Sequence, residues 1–344
     1  MAKSVVAFDL SEFDPTYTRV LIGYSIFKYS KITDLGTLEM ITGNADFRDS
    51  QVENLGNLTT IGRSADFVNS KVKDLGNLTT IGGSANFRDS QVENLGNLTT
   101  IGLSADFNRS KKLKNLGKLT TIGGNADFEN SQVINLGNLI KIEGGAEFRN
   151  SQVENLGNLK KIGGYALFTK SRIKNLGNLT TINGDVNFQG SEIRDLGNLT
   201  TINGDANFQG SEIRDLGNLT KIGGSADFRN SQAINLGSLT TIKGDVRFNR
   251  SEITDLRNLT TIGGDAYFDG SKITDLVNLT TIGGYVDFRY SQVENLGNLT
   301  TIKDDADFSH SKVIDLGNLT TIGGGVYFGD RTDLEAEWEK RNNK

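Results

Sequence analysis

A phenylalanine stands at residues 47, 67, 87 and 107, and then at every twentieth residue from Phe128 to Phe328. A leucine keeps the same beat, at Leu35, Leu55, Leu75 and Leu95 and then from Leu116 to Leu316. The single slip in phase is one extra residue within Ser110-Lys-Lys-Leu113. A fixed period of this length excludes an ordinary globular core, because each unit has to bury its apolar face against the next. Fifteen units of this kind fill most of the 344 residues, so a length that would otherwise imply two domains here implies one array.

The unit that opens at Leu55 shows what each position requires. Leu55, Leu58, Ile61, Ala65, Phe67 and Val72 are apolar, and nearly every copy is apolar at the same places. The phenylalanines, with Phe27 joining their register, imply rings stacked coil upon coil. From Ser64 to Phe67 polar and apolar residues alternate, which is strand patterning, so each coil is expected to give one short strand to a parallel sheet. Gly62 and its counterparts are expected to take positive φ in the turn before that strand. Asn54 or Asp74 before Leu-Gly-Asn-Leu reads as the cap of a single helical or 3₁₀ turn on the opposite side. Ser70 recurs in every unit, and its hydroxyl is expected to satisfy turn backbone groups as a polar ladder. The fold class is therefore a solenoid rich in β-structure, with parallel-sheet coils of about 20 residues.

Solenoids need closed ends. Residues 1–20 fall outside the register and are assigned to an N-terminal cap, with Val5-Val6-Ala7-Phe8 as its strand. Residues 21–330 form the repeats, beginning with a degenerate coil that places Phe27, Ser30 and Ile32 in register. Residues 331–344 read as a short capping helix and tail, in which Leu334 and Trp338 share a face as the lid of the last coil.

The pattern Ala65-x-Phe67-x-x-Ser70-x-Val72-x-x-Leu75-x-x-Leu78 resembles the leucine-rich repeat L-x-L-x-x-N-x-L-x-x-L-x-x-L, with Ser70 at the asparagine position. The phrase Leu-x-x-Ile-Gly-Gly-x-Ala-x-Phe is similar to the repeats of receptor L domains. The likeness runs over residues 21–328. It departs at the alanine in place of the first strand leucine, at the serine in place of asparagine, and in the spacing from Ile61 to Ala65. The resemblance implies a leucine-rich-like solenoid that binds protein through its sheet face; the departures keep a straighter β-helix open.

Composition narrows the chemistry. With no cysteine and one histidine, His310, a thiol nucleophile, a hydrolase triad and the usual zinc sites are unavailable, and no cofactor is expected. The outward acids Asp46, Asp66, Asp106, Asp127, Glu147, Asp227, Asp287 and Asp307 raise calcium or a glycosidase pair. However, Asn86, Leu167, Arg247 and Tyr267 interrupt that column, and Asp46-x-Arg48 and Glu147-x-Arg149 place opposite charges on one face, so a solvated surface is expected. Adjacent threonines, Thr59-Thr60 onward, lack the T-x-T spacing of an ice-binding face and read as turn residues. A net charge of −5 argues against nucleic acid and anionic membranes as partners. The start carries no secretory signal pattern and no window approaches a membrane span. Asn-Leu-Thr acceptor patterns recur in most units, where stacked glycans would clash, so a cytoplasmic location is expected.

Because the units are copies, departures from consensus at outward positions single out candidate contacts. One group is Lys160, Lys161, Tyr165, Leu167, Lys170 and Arg172, beside Ile140 and Lys141; a second is Tyr267, Tyr285, Tyr290, His310 and Tyr327. Exposed Tyr, Leu and Arg among polar neighbours are what protein interfaces favour. The expected function is a non-enzymatic scaffold for protein–protein recognition through an outward face. The alternatives are a structural rod or decoration piece of a larger assembly and, third, an acidic nucleic-acid mimic. Recent copying favours the rod: Ile182–Thr200 and Ile202–Thr220 differ only at Val186 and Ala206.

Overall fold

A computed structural model describes residues 3–6, 10 and 13–342. The chain divides into two compact units, Met1–Ile173 with Gly177–Leu179, and Lys174–Leu176 with Thr180–Lys344. Both are parallel β-solenoids built from the same coil.

In the first unit, strand β1 (Lys3–Val6) lies parallel to β2 (Thr18–Ile22), and β3 (Ser25–Ile26) opens a second sheet. The next coil contributes β4 (Met40–Ile41) to the first sheet and β5 (Ala45–Asp46) to the second. Every later coil repeats that pair, up to Lys161–Ile162 and Ala166–Leu167. The second unit does the same from Thr181–Ile182 and Val186–Asn187 to Thr321–Ile322 and Val326–Tyr327. Each coil thus carries two strands rather than the one expected. The first, Thr60–Ile61 in the Leu55 coil, points Ile61 inward and leaves Thr60 part-exposed. At two residues it is too short to show alternation, and Gly62 follows at once. A third contact between coils is a bridge at the Asp/Asn position, as in Asp34 with Asn54 and Asp74 with Asn94.

The pairing is strictly column on column. Ala45 N–H donates to the Ser64 carbonyl and Phe47 N–H to that of Asp66, each at 2.8 Å. Beneath these ladders the phenylalanine rings stack: centroids lie 5.2 Å apart for Phe47–Phe67, Phe67–Phe87 and Phe87–Phe107, with interplanar angles of 9° or less. Phe188 to Phe228 continue the pattern in the second unit. Leu, Ile, Val and Phe columns are fully buried in the interior coils. The extra residue of the Ser110–Leu113 segment is absorbed where Lys111 and Lys112 bulge into solvent. Leu113 takes the buried valine position, and Ala105 still pairs with Ala126.

Three local expectations need correction. First, the residues with positive φ are not Gly62 and its counterparts but Gly56 (57°) and Asn69 (53°) and theirs. At Gly62 the constraint is instead close approach, since an added Cβ would run into the Thr42 carbonyl oxygen. Second, Leu55–Leu58 is not a helical turn. Leu58 N–H donates to Leu55 C=O at 3.1 Å around Gly56, a β-turn with φ positive at its first central residue. Asn54 does cap it, its Oδ1 accepting the Gly56 N–H at 2.9 Å. Third, the Ser70 hydroxyl makes no ladder: Ser70 is fully buried, its N–H closes a turn on Phe67 C=O, and its Oγ has no hydrogen-bond partner. The side-chain ladder runs instead on the outward side of the second sheet, where Ser84 N–H donates to Ser64 Oγ at 3.0 Å.

Both ends carry closing contacts. In the first unit Leu21 and Phe27 are fully buried, and Phe13 meets Phe27 edge-on at 6.3 Å. Of the expected N-terminal strand, Val5 and Val6 lie in β1, while Ala7 and Phe8 lie outside the described residues. In the second unit helix α1 (Thr332–Asn342) buries Leu334, while Trp338 is only half-buried. Side chains there satisfy the last coil's backbone. Arg331 donates to the Ser311 and Val313 carbonyls, Arg341 to those of Gly317 and Leu319, and Glu337 accepts the Leu316 N–H.

At two coils the glycine of the Leu-Gly turn is replaced, and Arg257 (47°) and Val277 (49°) hold the left-handed conformation. A β-branched residue there is strained. Val277→Gly is therefore expected to stabilise the protein by about 0.5–1 kcal/mol, strain relief outweighing glycine's unfolded-state entropy. Urea unfolding checks this; an unchanged or lower midpoint contradicts the steric account.

Candidate functional site

The second sheet presents two outward ranks, one residue before and one after the buried alanine. The preceding rank supports the next coil through short acceptors. Asn44 Oδ1 accepts Ser64 N–H, Ser104 Oγ accepts Asn125 N–H, and Asp205 Oδ1 accepts Ser225 N–H. The following rank supports its own coil, its oxygen accepting the N–H two residues on: Asp66 from Val68, Asp106 from Asn108, Asp127 from Glu129. Ser, Asn and Asp in the preceding rank and Asn and Asp in the following rank are short enough to reach the backbone from there. Arginine after the phenylalanine adds an ion pair, at 2.7 Å in Arg48–Asp46, 2.6 Å in Arg229–Asp227 and 2.7 Å in Arg289–Asp287. Most of the outward acids are thus turn-forming residues and several are neutralised, but Asp46 and Asp287 are buried rather than solvated as expected, each covered by its arginine.

Against this background Tyr165 and Leu167 give up backbone support. Tyr165 and Leu167 occupy both ranks of one coil, and neither carries a short-reach acceptor. The Tyr165 ring lies over Gly145, where an added Cβ would collide with it, so the glycine and the tyrosine of successive coils are a matched pair. Tyr165 remains 39% exposed, and burial of the rest, with the Glu147 and Asp127 charges, pushes its phenol upward. The remaining members of that group spread around the coil. Lys161 faces out from the first sheet with Lys160 just before it, Lys170 holds the left-handed turn (φ 55°), and Arg172 is exposed beyond it.

The second group separates into two clusters and an outlier. Tyr267 and Tyr285 meet edge-on at 6.1 Å, Arg247 lies 5.7 Å from the Tyr267 ring, and Asp265 accepts both the Tyr285 N–H and the Tyr267 hydroxyl. Burial, then the Asp287 charge, pushes the Tyr285 phenol up to about 12. Tyr290 and His310 occupy the left-handed turn column and stack at 5.1 Å, and His310 Nδ1 lies 3.1 Å from Asp330. Tyr327, 55% exposed, stands in the last coil.

Sequence reasoning missed a trough on the first unit. It has a volume of about 450 Å³ and runs over successive coils from Tyr24 to Asp127 between the two outward ranks. It exists because Ser64, Ser84 and Ser104 are short where Tyr165 later is not; that run of serines was its signal. At one end the Tyr24 hydroxyl lies 3.2 Å from Asp46 Oδ2. Burial works to raise the Asp46 carboxyl, but hydrogen bonds from Arg48 outweigh it and hold the group below the usual carboxylate range. Asp106 has no basic partner within ion-pair distance among the described residues, and burial, with the charge of Asp127, pushes it upward. No group of three His, Cys, Asp or Glu among the described residues is placed to hold a metal ion. None of the helices described is long and apolar enough to cross a membrane.

No protein-family model, curated protein or solved structure matches this chain.

The Asp46–Arg48 pair has a signed pH consequence. Because the folded carboxyl is depressed, its stabilisation is present above the ordinary carboxylate pKa and is lost as pH falls through the lower folded value. Arg48→Met should melt below the wild type at neutral pH, with the gap closing in acid over that window. A gap independent of pH would show that the pair contributes packing alone.

Proposed function

We propose that this chain is a non-enzymatic recognition scaffold that binds a protein partner through the outer face of its second sheet. The observation that carries this reading is the coil of Tyr165 and Leu167. Both outward ranks there abandon backbone-supporting side chains, each worth about 0.5–1.5 kcal/mol where made. Partly exposed aromatic and aliphatic groups take their place. Packing of the Tyr165 ring on Gly145 accounts for part of the tyrosine but neither for its exposed remainder nor for Leu167, whereas a partner surface accounts for both. The likeness to leucine-rich repeats and receptor L domains belongs with the same reading.

A cytoplasmic setting fits it as well. In the Asn-Leu-Thr phrase the asparagine amide and the threonine hydroxyl are structural: Asn77 Nδ2 donates to the Gly56 carbonyl, and Thr79 Oγ1 to that of Thr59. A glycan on that nitrogen would crowd the coil-to-coil bond that the amide makes there. The rod reading draws on the near-identical coils Ile182–Thr200 and Ile202–Thr220 and treats the outward faces as inert. Nucleic-acid mimicry is disfavoured by the arginines paired to the acids.

Affinity capture from cell lysate with the wild type and with Tyr165→Asp/Leu167→Asp/Lys170→Glu separates these readings. Thr121→Lys serves as control, since its column already holds Lys141 and Lys161. At equal melting temperatures, a partner held by wild type and control but reduced at least tenfold by the triple variant is the expected result. Equal capture by all three rejects the patch and favours the rod.

A further inference from the structure

We propose that the trough on the first unit binds a linear, uncharged oligosaccharide. The proposal is independent of the recognition reading, which uses Tyr165 and Leu167.

Shape is the first argument. The trough follows the stacking direction of the coils, and its lining repeats with them, at the spacing of about 5 Å set by the rings below. Its volume of about 450 Å³ lies within the range of small-ligand sites. One pyranose residue in an extended chain is close to one coil in length, so each sugar would meet an equivalent set of groups. An extended peptide advances about 3.3 Å per residue and returns a side chain to one face at twice that, out of step with the coils. The face also offers side chains rather than a free strand edge, so strand addition does not apply.

Chemistry is the second argument. The lining exposes more apolar than polar surface, and its polar groups are the side-chain amides of Asn44, Asn86 and Asn125, serine hydroxyls and carboxylates, with the Tyr24 ring at one end. Asn86 uses its oxygen on Arg88 N–H and keeps its amide nitrogen for a ligand, and Asp106 uses one oxygen on Asn108 N–H and keeps the other. Such paired donors and acceptors suit the vicinal hydroxyls of a sugar, each of which both donates and accepts. The carboxylates repel phosphate-bearing ligands. Arg48 compensates Asp46 and approaches Asp66 at 3.6 Å, which lowers the pull on a cation at that end. Tyr24 supplies an apolar face for the C–H side of a sugar ring.

The test is binding of the intact chain to an array of linear neutral oligosaccharides, followed by titration calorimetry with the best member. Ser84→Tyr fills the trough, and the fold tolerates tyrosine in that rank above a residue with a side chain, as at Tyr285 above Asp265; Asn86→Ala removes one hydrogen-bonding pair without filling it. The expected result is binding that survives high salt, falls at least tenfold in both variants while each stays fully folded at the assay temperature (Asn86→Ala melting slightly lower for want of its bond from Arg88 N–H), and persists in Tyr165→Asp/Leu167→Asp. No binding to any array member overturns the proposal, as does glycan binding that Ser84→Tyr leaves intact. Salt-sensitive binding of spermine or polylysine in place of glycans also overturns it and makes the trough a cation site. Loss of partner capture in the Tyr165/Leu167 variant with glycan binding retained separates the fate of this proposal from that of the recognition reading.

Discussion

Everything else in this protein depends on the backbone ladder that joins each coil to the next in fixed register. Two residues of each strand are too few to form a sheet by propensity. What holds them is that Ala, Asp and Phe of one coil stand directly over Ala, Asp and Phe of the neighbour. That register also lets the phenylalanine rings stack at 5.2 Å and the Leu and Ile columns close around them. A slip of one residue would turn a core column outward along the whole run, so the period is enforced by burial. The extra residue near Lys111 shows the rule at work, for it is expelled into solvent and the ladder on either side is undisturbed.

The inward half of this structure was legible because burial leaves a periodic mark. Phe67, Leu55, Leu58, Ile61 and Val72 could each be assigned to the core from spacing alone, and all are. The helix at Thr332–Asn342 was legible from its charge order and the Leu334 anchor. What could not be read were features set by the backbone path between those anchors. The Thr60–Ile61 strand is too short to alternate, and the left-handed positions fall at Gly56 and Asn69 because the chain turns there. Gly62 is small because a neighbouring carbonyl is close, a contact between residues twenty apart. Ser64 and Ser70 look alike in sequence; only the path of the coil makes one a ladder rung and buries the other.

The outward half follows a different economy. Most exposed side chains on the second sheet are tied to the backbone, as Asp66 is to Val68 and Ser64 to Ser84. Variation is therefore informative where those ties are given up. The candidate residues were found in the sequence as departures from consensus, and the coil geometry sorts them. Tyr165 and Leu167 share one face, Tyr267 and Tyr285 touch, Tyr290 and His310 stack, and Lys161 faces out from the other sheet. The trough escaped notice for the opposite reason: it is made by residues that conform to the pattern, and its content is the space above small side chains.

The claim that one twenty-residue coil in register is the unit of this fold is tested most directly by two deletions in the second unit, read by hydrogen exchange. Removing residues 202–221 takes out one full period and joins Thr201 to Ile222, so every column remains in phase. Removing residues 202–211 takes out half a period and puts strand positions over turn positions. The account predicts that the full-period deletion keeps the slow exchange of the flanking ladder amides, such as those of Phe188 and Phe228. The half-period deletion should lose that protection on at least one side of the junction. Equal protection in both variants, or its loss in the full-period deletion, would contradict the account.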